Sequence, residues 1–325
     1  MMRKGLLALV LAGTAWCGGL PAQAAEVTLR AVSSFGLNTQ FGIVFKDFAE
    51  ELNKRGKGVM QIRLIGGPEA MPPGEVGSAV KGGVIDMAWS PANFYESQMS
   101  EAASMALANV PASEWKKNGA WDLLQKLHND KVNSMLLTSF GSGLSHYLYL
   151  TKKIDKPDLT GMKIRPAPGM QAFYNSLGAA TVSTMPGEVY TALERGLIEG
   201  YSWPLWGVID LSWQRVTKYR VEPGYGIVQC NLLVNIPVWN KLEPVQRDFL
   251  NKMVAWHENE YAPKKISETS AAEIKKQTEA GIQVITFSPE DGKKFRAAFY
   301  DNMWEAAVQK APQTAPALKA LLYRP

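Results

Sequence analysis

At 325 residues the chain is long for one hydrophobic core, so two domains are the default expectation at roughly 100 to 200 residues per domain. Its formal net charge of +5 is mild, and no cluster of Lys and Arg is interleaved with aromatic residues, which excludes nucleic acid as the expected partner. The composition is typical of a soluble globular protein.

The N-terminus has the pattern of a secretory signal peptide. Arg3 and Lys4 precede an apolar run at 6–11, and Ala22-Gln23-Ala24 provides the small residues that signal peptidase requires. We therefore predict a signal peptide over 1–24, cleaved after Ala24, and export across a membrane. The apolar run is shorter than the about 20 residues of a spanning helix, so we expect no direct membrane insertion; a retained anchor is the alternative.

Cleavage at this point changes the charge and the cysteine count. The formal net charge falls from +5 to +3 because Arg3 and Lys4 are lost. Lipid attachment at Cys17 is disfavoured by the bulky Trp16 directly before it. Cys230 is then the one remaining cysteine, which excludes an intramolecular disulfide and favours a small buried apolar role for this side chain.

The first half of the chain alternates strands with helices. The predicted elements are a strand at 27–33, a helix at 41–52, strands at 60–65 and 86–89 with a short helix between them, a helix from Trp115 to Leu127 and a strand at 133–140. Such alternation indicates an α/β fold with a largely parallel sheet and helices on both faces.

The second half has a similar pattern and ends in long helices. The predicted elements are a strand ending at Arg165, a helix at 170–177, a strand at 181–184, a short helix, strands at 197–201 and 226–235, a helix over 243–280 interrupted at Pro263, and a helix capped by Ser288. The helix over 243–280 is long enough to run along two lobes.

One segment is repeated. Residues 75–91 and 188–204 match without gaps at six of seventeen positions, and each reads as a short helix stopped by Gly83 or Gly196, a strand, and a Trp and Ser beside a proline. Two lobes that each point such a strand end at a shared space would form a cleft for a small molecule. The alternative is that helix, glycine and strand are common to any α/β protein.

Arg165 is the strongest candidate for ligand binding. It stands at the carboxyl end of a predicted strand, where open α/β sheets bind ligands, and Pro166 favours an extended backbone there. A guanidinium held at that place can bind a carboxylate through two parallel hydrogen bonds. The alternative is an Arg whose head pairs with a surface acid.

Trp89 and Trp203 are the next candidates, one from each copy of the repeat. Indole rings at strand ends provide flat apolar walls with one donor each. Because the two residues are offset by one position between the copies, at most one is expected to point fully into a cleft; otherwise both belong to the core.

Catalytic patterns are scarce. His128, His146 and His257 have no metal-ligand spacing, and 141–145 lacks the Gly-x-Ser-x-Gly pattern of a nucleophile elbow. The glycine pairs are too sparse for a phosphate-binding loop. We therefore expect no enzymatic activity and no cofactor.

Four segments resemble one known family. Leu159–Arg165, Leu177–Ala180, Met185–Leu193 and Gly196–Gly200 are similar to the DctP family, the solute-binding subunits of tripartite ATP-independent periplasmic (TRAP) transporters. The resemblance extends over the whole mature chain. It implies a periplasmic α/β protein with two lobes, a cleft between them, hinge strands, and a long helix spanning both lobes.

The resemblance also implies lobe boundaries and partners. We expect lobe I at 25–143 and about 236–270, and lobe II at 144–235 and about 271–325. The implied partners are a small organic acid and the TRAP membrane permease subunits, and the chain is expected to be a monomer. The alternatives from other classes are a secreted hydrolase of small esters or amides, and a ligand receptor that feeds a chemosensor.

In the family, the Arg of the Lys-Ile-Arg motif holds the substrate carboxylate, and it matches Arg165 here. Positions after the Gly-Leu-Ile-Glu-Gly strand also line the site, namely Ser202 and Trp203. Some relatives have an acidic residue in place of Ser202 that helps to hold a metal, so no metal is expected. Trp203 and His146 also depart from the pattern of sialic-acid binders, and His146 offers a neutral or switchable hydrogen bond.

A ligand that bridges both lobes completes the predicted site. Arg165 and Trp203 are expected on one side, facing candidates from the first lobe: Phe35, Asn38, Trp89, Ser90 and Asn93. One charge-assisted bidentate contact contributes about 1.5 to 3 kcal/mol, whereas micromolar binding needs roughly 8 kcal/mol. Apolar burial against Trp must supply the rest, which favours an aromatic or branched monocarboxylate.

Overall fold

The structure, a computed structural model, describes residues 25–324; the predicted signal peptide lies outside the described residues. Its strands are β1 (Val27–Ser33), β2 (Met60–Gly66), β3 (Met87–Pro91), β4 (Ser134–Phe140), β5 (His146–Leu150), β6 (Lys163–Arg165), β7 (Ala180–Thr181), β8 (Gly200–Pro204), β9 (Tyr219–Tyr225), β10 (Cys230–Asn235) and β11 (Gln283–Thr286).

The helices surround these strands. They are α1 (Gln40–Arg55), α2 (Val76–Lys81), α3 (Ala112–Asn118), α4 (Ala120–Val132), α5 (Gln171–Ser176), α6 (Val189–Glu194), α7 (Ile236–Lys241), α8 (Pro244–Trp256), α9 (Ala262–Glu279), α10 (Pro289–Lys310) and α11 (Ala315–Leu322). The helix predicted from Trp115 to Leu127 is two helices, because Gly119 adopts a left-handed φ of 86° between α3 and α4.

Two mixed sheets form the centres of two lobes. The first has the strand order β2-β1-β3-β10-β4 and the second β11-β9-β5-β8-β6-β7. In each, three neighbouring strands are parallel, β2-β1-β3 and β7-β6-β8. β11 also pairs in parallel with β9. The prediction of a largely parallel sheet is wrong at β10, which runs antiparallel to β3 and β4, and at β5, which runs antiparallel to β8 and β9.

These antiparallel strands are the ones at which the chain crosses between lobes. The chain leaves the first sheet after β4 to form β5 in the second, and returns after β9 to form β10 in the first. A strand that the chain enters from the opposite end of a sheet runs antiparallel to its neighbours. This accounts for the mixture of parallel and antiparallel pairs in both sheets. Neither β5 nor β9 is among the strands predicted from the sequence.

The repeated segment forms the same unit twice. A 3₁₀ turn (Pro73–Glu75 or Pro186–Glu188) leads into α2 or α6, and the following strand, β3 or β8, joins a parallel pair in its own sheet. Gly83 and Gly196 end the two helices with φ values of 73° and 66°, a conformation that costs a residue with a Cβ extra energy.

Two segments lie in a different lobe from the one predicted. β10 was assigned to lobe II, but it pairs with β3 and β4 of the first sheet. α11 was also assigned to lobe II, but Asn118 Nδ2 of the first lobe donates to the carbonyl oxygen of Leu321 at 2.8 Å. With these placements the chain crosses between the lobes four times, after β4, after β9, along α8 and α9, and along α10.

A continuous helical segment spans both lobes. It comprises α8, a π-helical turn at His257–Tyr261 and α9, and Pro263 lies in the first turn of α9 without ending the helix. At one end Gln246 Nε2 donates to the carbonyl oxygen of Ala25 in the first lobe, and at the other Gln277 Nε2 donates to that of Leu205 in the second. Within 25–324, no helix is long and apolar enough to cross a membrane.

Candidate functional site

A narrow cavity lies where the two lobes meet. It is lined by Phe35, Phe41, 91–94 and Ala106 from the first lobe, His146, Ala167, Pro168, Trp203 and Pro204 from the second, and 227–229 from the connection between β9 and β10. The volume of this cavity that the centre of a water molecule can reach is about 40 Å³. Its walls are mostly apolar, so it suits a small solute with an apolar body.

Arg165, the last residue of β6, does not itself line this cavity but lies behind the wall that Trp203 forms. Its side chain is 1% exposed, Nε donates to the carbonyl oxygen of Thr184 at 3.2 Å, and one terminal nitrogen donates to that of Ser202 at 3.4 Å. Among residues 25–324, no carboxylate lies within 4 Å of the guanidinium. Burial lowers the pKa of Arg165 to about 10, so the group remains a cation at neutral pH.

A buried cation without a carboxylate partner is energetically unfavourable. Desolvation costs several kcal/mol per ion even after relaxation, and backbone carbonyl oxygens compensate only part of this. A carboxylate that reaches the guanidinium would supply the missing charge through charge-assisted hydrogen bonds. The position therefore favours an anion.

His146 lines the cavity as a neutral ring. Burial, together with the nearby positive charge of Arg165, lowers its pKa to about 3. Its Nδ1 has no hydrogen-bond partner among the described residues. The ring can therefore offer a ligand one neutral donor or acceptor, depending on its tautomer, and adds no second cation.

Trp203 forms an aromatic wall next to Arg165. The guanidinium carbon lies 5.6 Å from the centre of the indole ring, within the range of a cation–π contact. On another side the indole packs edge to face against Trp213, with ring centres 4.8 Å apart. The two contacts fix the ring that lines the cavity.

Ser202 does not line the cavity. Its Oγ shares a hydrogen bond of 2.9 Å with the hydroxyl of Tyr225, which in turn is bonded to the hydroxyl of Tyr174. Its carbonyl oxygen accepts from Arg165. Ser202 therefore lies behind the guanidinium.

The first lobe contributes an apolar wall and a contact across the cleft. Phe35 stacks on Phe41 with ring centres 5.0 Å apart, and both line the cavity. Asn93, another lining residue, donates from Nδ2 to the carbonyl oxygen of Pro168 in the second lobe at 3.1 Å. The predicted residues Phe35, Asn93, His146 and Trp203 are thus brought together around one cavity.

A second hydrogen bond joins the lobes. Asp210, in the loop after β8, accepts from the backbone nitrogen of Gln40, the first residue of α1, at 2.7 Å. A carboxylate at a helix N-terminus is favoured by the helix dipole and by the free backbone N–H groups. The lobes are therefore linked through both Asn93 and Asp210.

The prediction for Trp89 as a cavity wall is wrong. Its ring stacks on Phe45 in the core of the first lobe, with ring centres 5.7 Å apart, and Nε1 donates to the carbonyl oxygen of Phe41 at 3.0 Å. Ser90 is also buried away from the cavity, and its Oγ is 2.9 Å from Ser34 Oγ. Asn38 is exposed and does not line the cavity.

Sequence reasoning missed Gln229 and its neighbours on the β9 to β10 connection. Gln229 lines the cavity with its side chain buried. The sequence predicts a strand over 226–235 but does not show which of its side chains faces a ligand. A second missed signal was the Pro166 to Pro168 segment after β6, which places Ala167 and Pro168 on the wall.

The described residues hold no group of three or more His, Cys, Asp or Glu side chains placed to bind a metal ion. The polar groups at the cavity are thus the Arg165 guanidinium behind its wall and the neutral side chains that line it, namely Asn93, His146, Trp203 and Gln229. This arrangement can bind and orient an anion.

Comparison with known proteins identifies the family. The profile described as "Bacterial extracellular solute-binding protein, family 7", DctP, matches residues 34–310. The chain belongs to the DctP family. Members of this family are solute-binding proteins and not enzymes, and they act with the membrane permease subunits of TRAP transporters.

Among the curated DctP relatives is the 2,3-diketo-L-gulonate-binding periplasmic protein YiaO of Escherichia coli. It is 27% identical over 296 residues, which cover 86% of each chain. The family is periplasmic, and small acids are the ligands of its members.

Solved structures share the two-lobed fold. A TRAP periplasmic solute-binding protein from Desulfovibrio salexigens with bound orotic acid gives a TM-score of 0.78 at 18% identity, covering 91% of this chain and 97% of that one. Another from Rhodoferax ferrireducens, with bound malonate, gives 0.76 at 21% identity, covering 91% and 100%. The likeness establishes the fold as that of a two-lobed periplasmic binding protein.

Proposed function

We propose that this DctP protein closes over a small organic monocarboxylate with an apolar, branched or aromatic body and delivers it to a TRAP permease. The observation that carries the proposal is the buried Arg165 guanidinium, which has no carboxylate within 4 Å among residues 25–324 and lies beside an apolar cavity shared by both lobes. The ligand carboxylate would pair with this cation, and its body would lie between Trp203 and the Phe35 and Phe41 rings.

The apolar lining supports a ligand that is not polyhydroxylated. Each hydroxyl of a sugar acid needs a hydrogen-bond partner once it is removed from water, and an unpaired one costs about 1 to 3 kcal/mol. Only four of the lining residues carry a side-chain nitrogen, and none carries a side-chain oxygen other than the amide oxygens of Asn93 and Gln229. Each buried CH₂ of an apolar body contributes about 0.8 kcal/mol instead.

The lobe boundaries and the signal peptide belong to the same proposal. We place β10 and α11 with lobe I, on the strength of their pairing and hydrogen bonds, and keep β5 to β9 and β11 in lobe II. Export would remove residues 1–24, which N-terminal sequencing of the periplasmic protein would check.

Calorimetry on Arg165→Ala tests the carboxylate site. A thermal-shift panel of 3-methylbutanoate, benzoate, phenylacetate and gluconate first identifies the acid that raises the melting temperature most, since a ligand of the native state stabilises it. We expect Arg165→Ala to weaken binding of that acid by about 2 to 5 kcal/mol, because the carboxylate loses its partner.

Two further variants serve as controls. Arg195→Ala removes an exposed cation of the same lobe and is expected to leave affinity unchanged. Arg165→Lys keeps the charge but loses the planar fork, and is expected to bind at an intermediate level. Equal affinity of Arg165→Ala and the unmodified protein, with both folded, would contradict the site; gluconate as the best ligand would contradict the apolar body.

A further inference from the structure

Three buried hydroxyl groups lie behind the Arg165 guanidinium and are joined to one another. Tyr174 belongs to α5, Ser202 lies in the middle of β8, and Tyr225 is the last residue of β9. The Tyr225 hydroxyl is bonded to that of Tyr174 and lies 2.9 Å from Ser202 Oγ, which also donates to Met170 Sδ at 3.6 Å. The three side chains are at most 1% exposed, so they form one hydroxyl chain that is shielded from water.

The hydroxyl chain ends at the backbone that holds Arg165. β6 and β8 are parallel neighbours with Arg165 opposite Tyr201, so the next carbonyl oxygen, that of Ser202, lies within reach of the guanidinium. It accepts from one terminal nitrogen at 3.4 Å, while Nε donates to the carbonyl oxygen of Thr184 at 3.2 Å. A guanidinium has five N–H groups, and the three that remain are all on the terminal nitrogens. These can bind a carboxylate through two parallel hydrogen bonds.

The hydroxyl chain orients the cation without neutralising it. Burial raises the pKa of Tyr174 and of Tyr225, so both phenols are neutral at neutral pH. For Tyr174 the positive charge of Arg165 acts against this rise, which indicates that the phenol and the guanidinium lie close together. The charge of Arg165 therefore remains available to a ligand.

Aromatic packing holds the middle of the hydroxyl chain in place. The Tyr225 ring contacts Phe173 of α5 and two rings of α10, Phe295 and Phe299, with ring centres 5.0, 5.6 and 4.9 Å away. A ring enclosed on several sides in a close-packed interior has little freedom to move, so its hydroxyl has a fixed position. Ser202 is thereby tied to α5 and α10 as well as to its own sheet.

We propose that Tyr225 is a positioning residue for Arg165. Tyr225 does not line the cavity. Through Ser202 it fixes the carbonyl oxygen that orients the guanidinium, and so sets the plane in which the three free N–H groups meet a carboxylate. The inference rests on the proposed function and adds to its site a residue that does not touch the ligand. A bidentate contact depends on orientation, whereas the attraction of a compact charge depends on it much less.

A double-mutant cycle tests this. Tyr225→Phe keeps the ring and removes one hydroxyl, and Arg165→Lys keeps the charge and removes the planar fork. The probe is whichever of 3-methylbutanoate, benzoate and phenylacetate gives the largest thermal shift. Its affinity is measured by calorimetry, or by thermal shift at millimolar acid for variants that bind weakly. We expect Tyr225→Phe to weaken binding about fivefold when Arg165 is present and less than about twofold in the Arg165→Lys background.

Tyr201→Phe is the matched control. Tyr201 is a buried tyrosine of β8 whose hydroxyl lies 2.8 Å from Thr217 Oγ1, and its side chain points to the opposite face of the strand from Ser202. Its substitution also removes one buried hydrogen bond, yet should change affinity less than about twofold in either background. Tyr174→Phe interrupts the hydroxyl chain at its other end. It should reproduce the effect of Tyr225→Phe, and it replaces that variant if Tyr225→Phe does not fold.

Arg165→Ala separates this inference from the function on which it rests. Equal losses of affinity in both backgrounds would mean that the hydroxyl chain only stabilises the lobe, and they overturn the inference. Unchanged affinity of Tyr225→Phe, or an equal effect of Tyr201→Phe, does the same. In these cases a large loss in Arg165→Ala leaves the carboxylate receptor standing. If Arg165→Ala binds as the unmodified protein does, or no acid of the panel binds, the proposed function fails together with the inference. A loss confined to the protein with Arg165 supports it.

Discussion

The strand ends of β3 and β8 occupy equivalent places in the two lobes, yet their side chains have different surroundings. Aligning the repeated segments puts Trp89 opposite Ser202 and Ser90 opposite Trp203. Successive side chains on a strand point to opposite faces, so an offset of one residue reverses which face carries the indole. Trp89 consequently packs in the core against Phe45, whereas Trp203 lines the cavity.

The comparison shows that a repeated scaffold does not imply a symmetric site. Both copies supply the same helix, glycine turn and strand. The second lobe adds a buried cation and an indole beside the cavity, and the first adds phenyl rings. Recognition of charge and recognition of shape are therefore divided between the lobes.

The largest expected effect comes from Trp89→Ala and concerns stability. Removing a fully buried indole leaves a void in the first core, and we expect the free energy of unfolding to fall by about 3 to 5 kcal/mol in urea titrations. Affinity of the folded fraction for the best acid should change by less than about threefold. An unchanged unfolding curve with lost affinity would place Trp89 at the site and break the comparison.

Trp203→Ala is expected to act mainly on binding. It removes an apolar wall and the cation–π contact with Arg165, so affinity for a branched or aromatic acid should fall by about 1.5 to 3 kcal/mol. Acetate, which has little apolar body to bury, should lose less. Calorimetry with both acids measures this, and equal losses for the two would indicate that Trp203 is a core residue like Trp89.

The smallest expected effect concerns two glutamates on the helical segment that spans both lobes. Glu258 faces the first lobe and pairs with Lys116 at 3.1 Å, whereas Glu273 is 1% exposed and neither of its carboxylate oxygens has a hydrogen-bond partner among residues 25–324. Burial, with the negative charge of Asp210, raises the pKa of Glu273 to about 7. The folded protein therefore holds this proton more tightly than the unfolded chain.

The contribution of Glu273 to stability is fully present below its unfolded pKa of about 4.5 and is lost as the pH rises through about 7. We expect Glu273→Gln to raise the free energy of unfolding at pH 8 by about 1 to 2 kcal/mol and to flatten its decline between pH 5 and 8. Glu258→Gln is the paired control, and the same flattening in that variant would contradict the assignment.

The sequence predicted the elements that follow local rules. The place of Arg165 at a strand end follows from Pro166, and the cap of α10 from Ser288, whose Oγ accepts from the backbone nitrogen of Asp291 at 3.1 Å. Gly83 and Gly196 correctly mark the ends of α2 and α6. Each of these depends on a few adjacent residues, so the chemistry of the sequence alone decides it.

Features that depend on distant segments were not accessible in the same way. β5 and β9 are strands of the crossover between lobes, and Pro223 and Gly224 within β9 read as a turn. The burial of Arg165 without an acid depends on what packs over it, and the face of Trp89 depends on the register of β3 against β1. Gln229 became a candidate only when β10 was found beside β4, with Ser139 bonded to its amide oxygen.

The hydrogen bonds that Asn93 and Asp210 form across the cleft bear on how long an occupant stays. The cavity is bordered by both lobes, so we expect a solute to depart after Asn93 has released Pro168 and Asp210 has released Gln40. Departure is then a conformational event, and its rate depends on how often the lobes part. Acids held by the same two lobes should share that opening step, and the residence time of each should reflect how much its own contacts slow it.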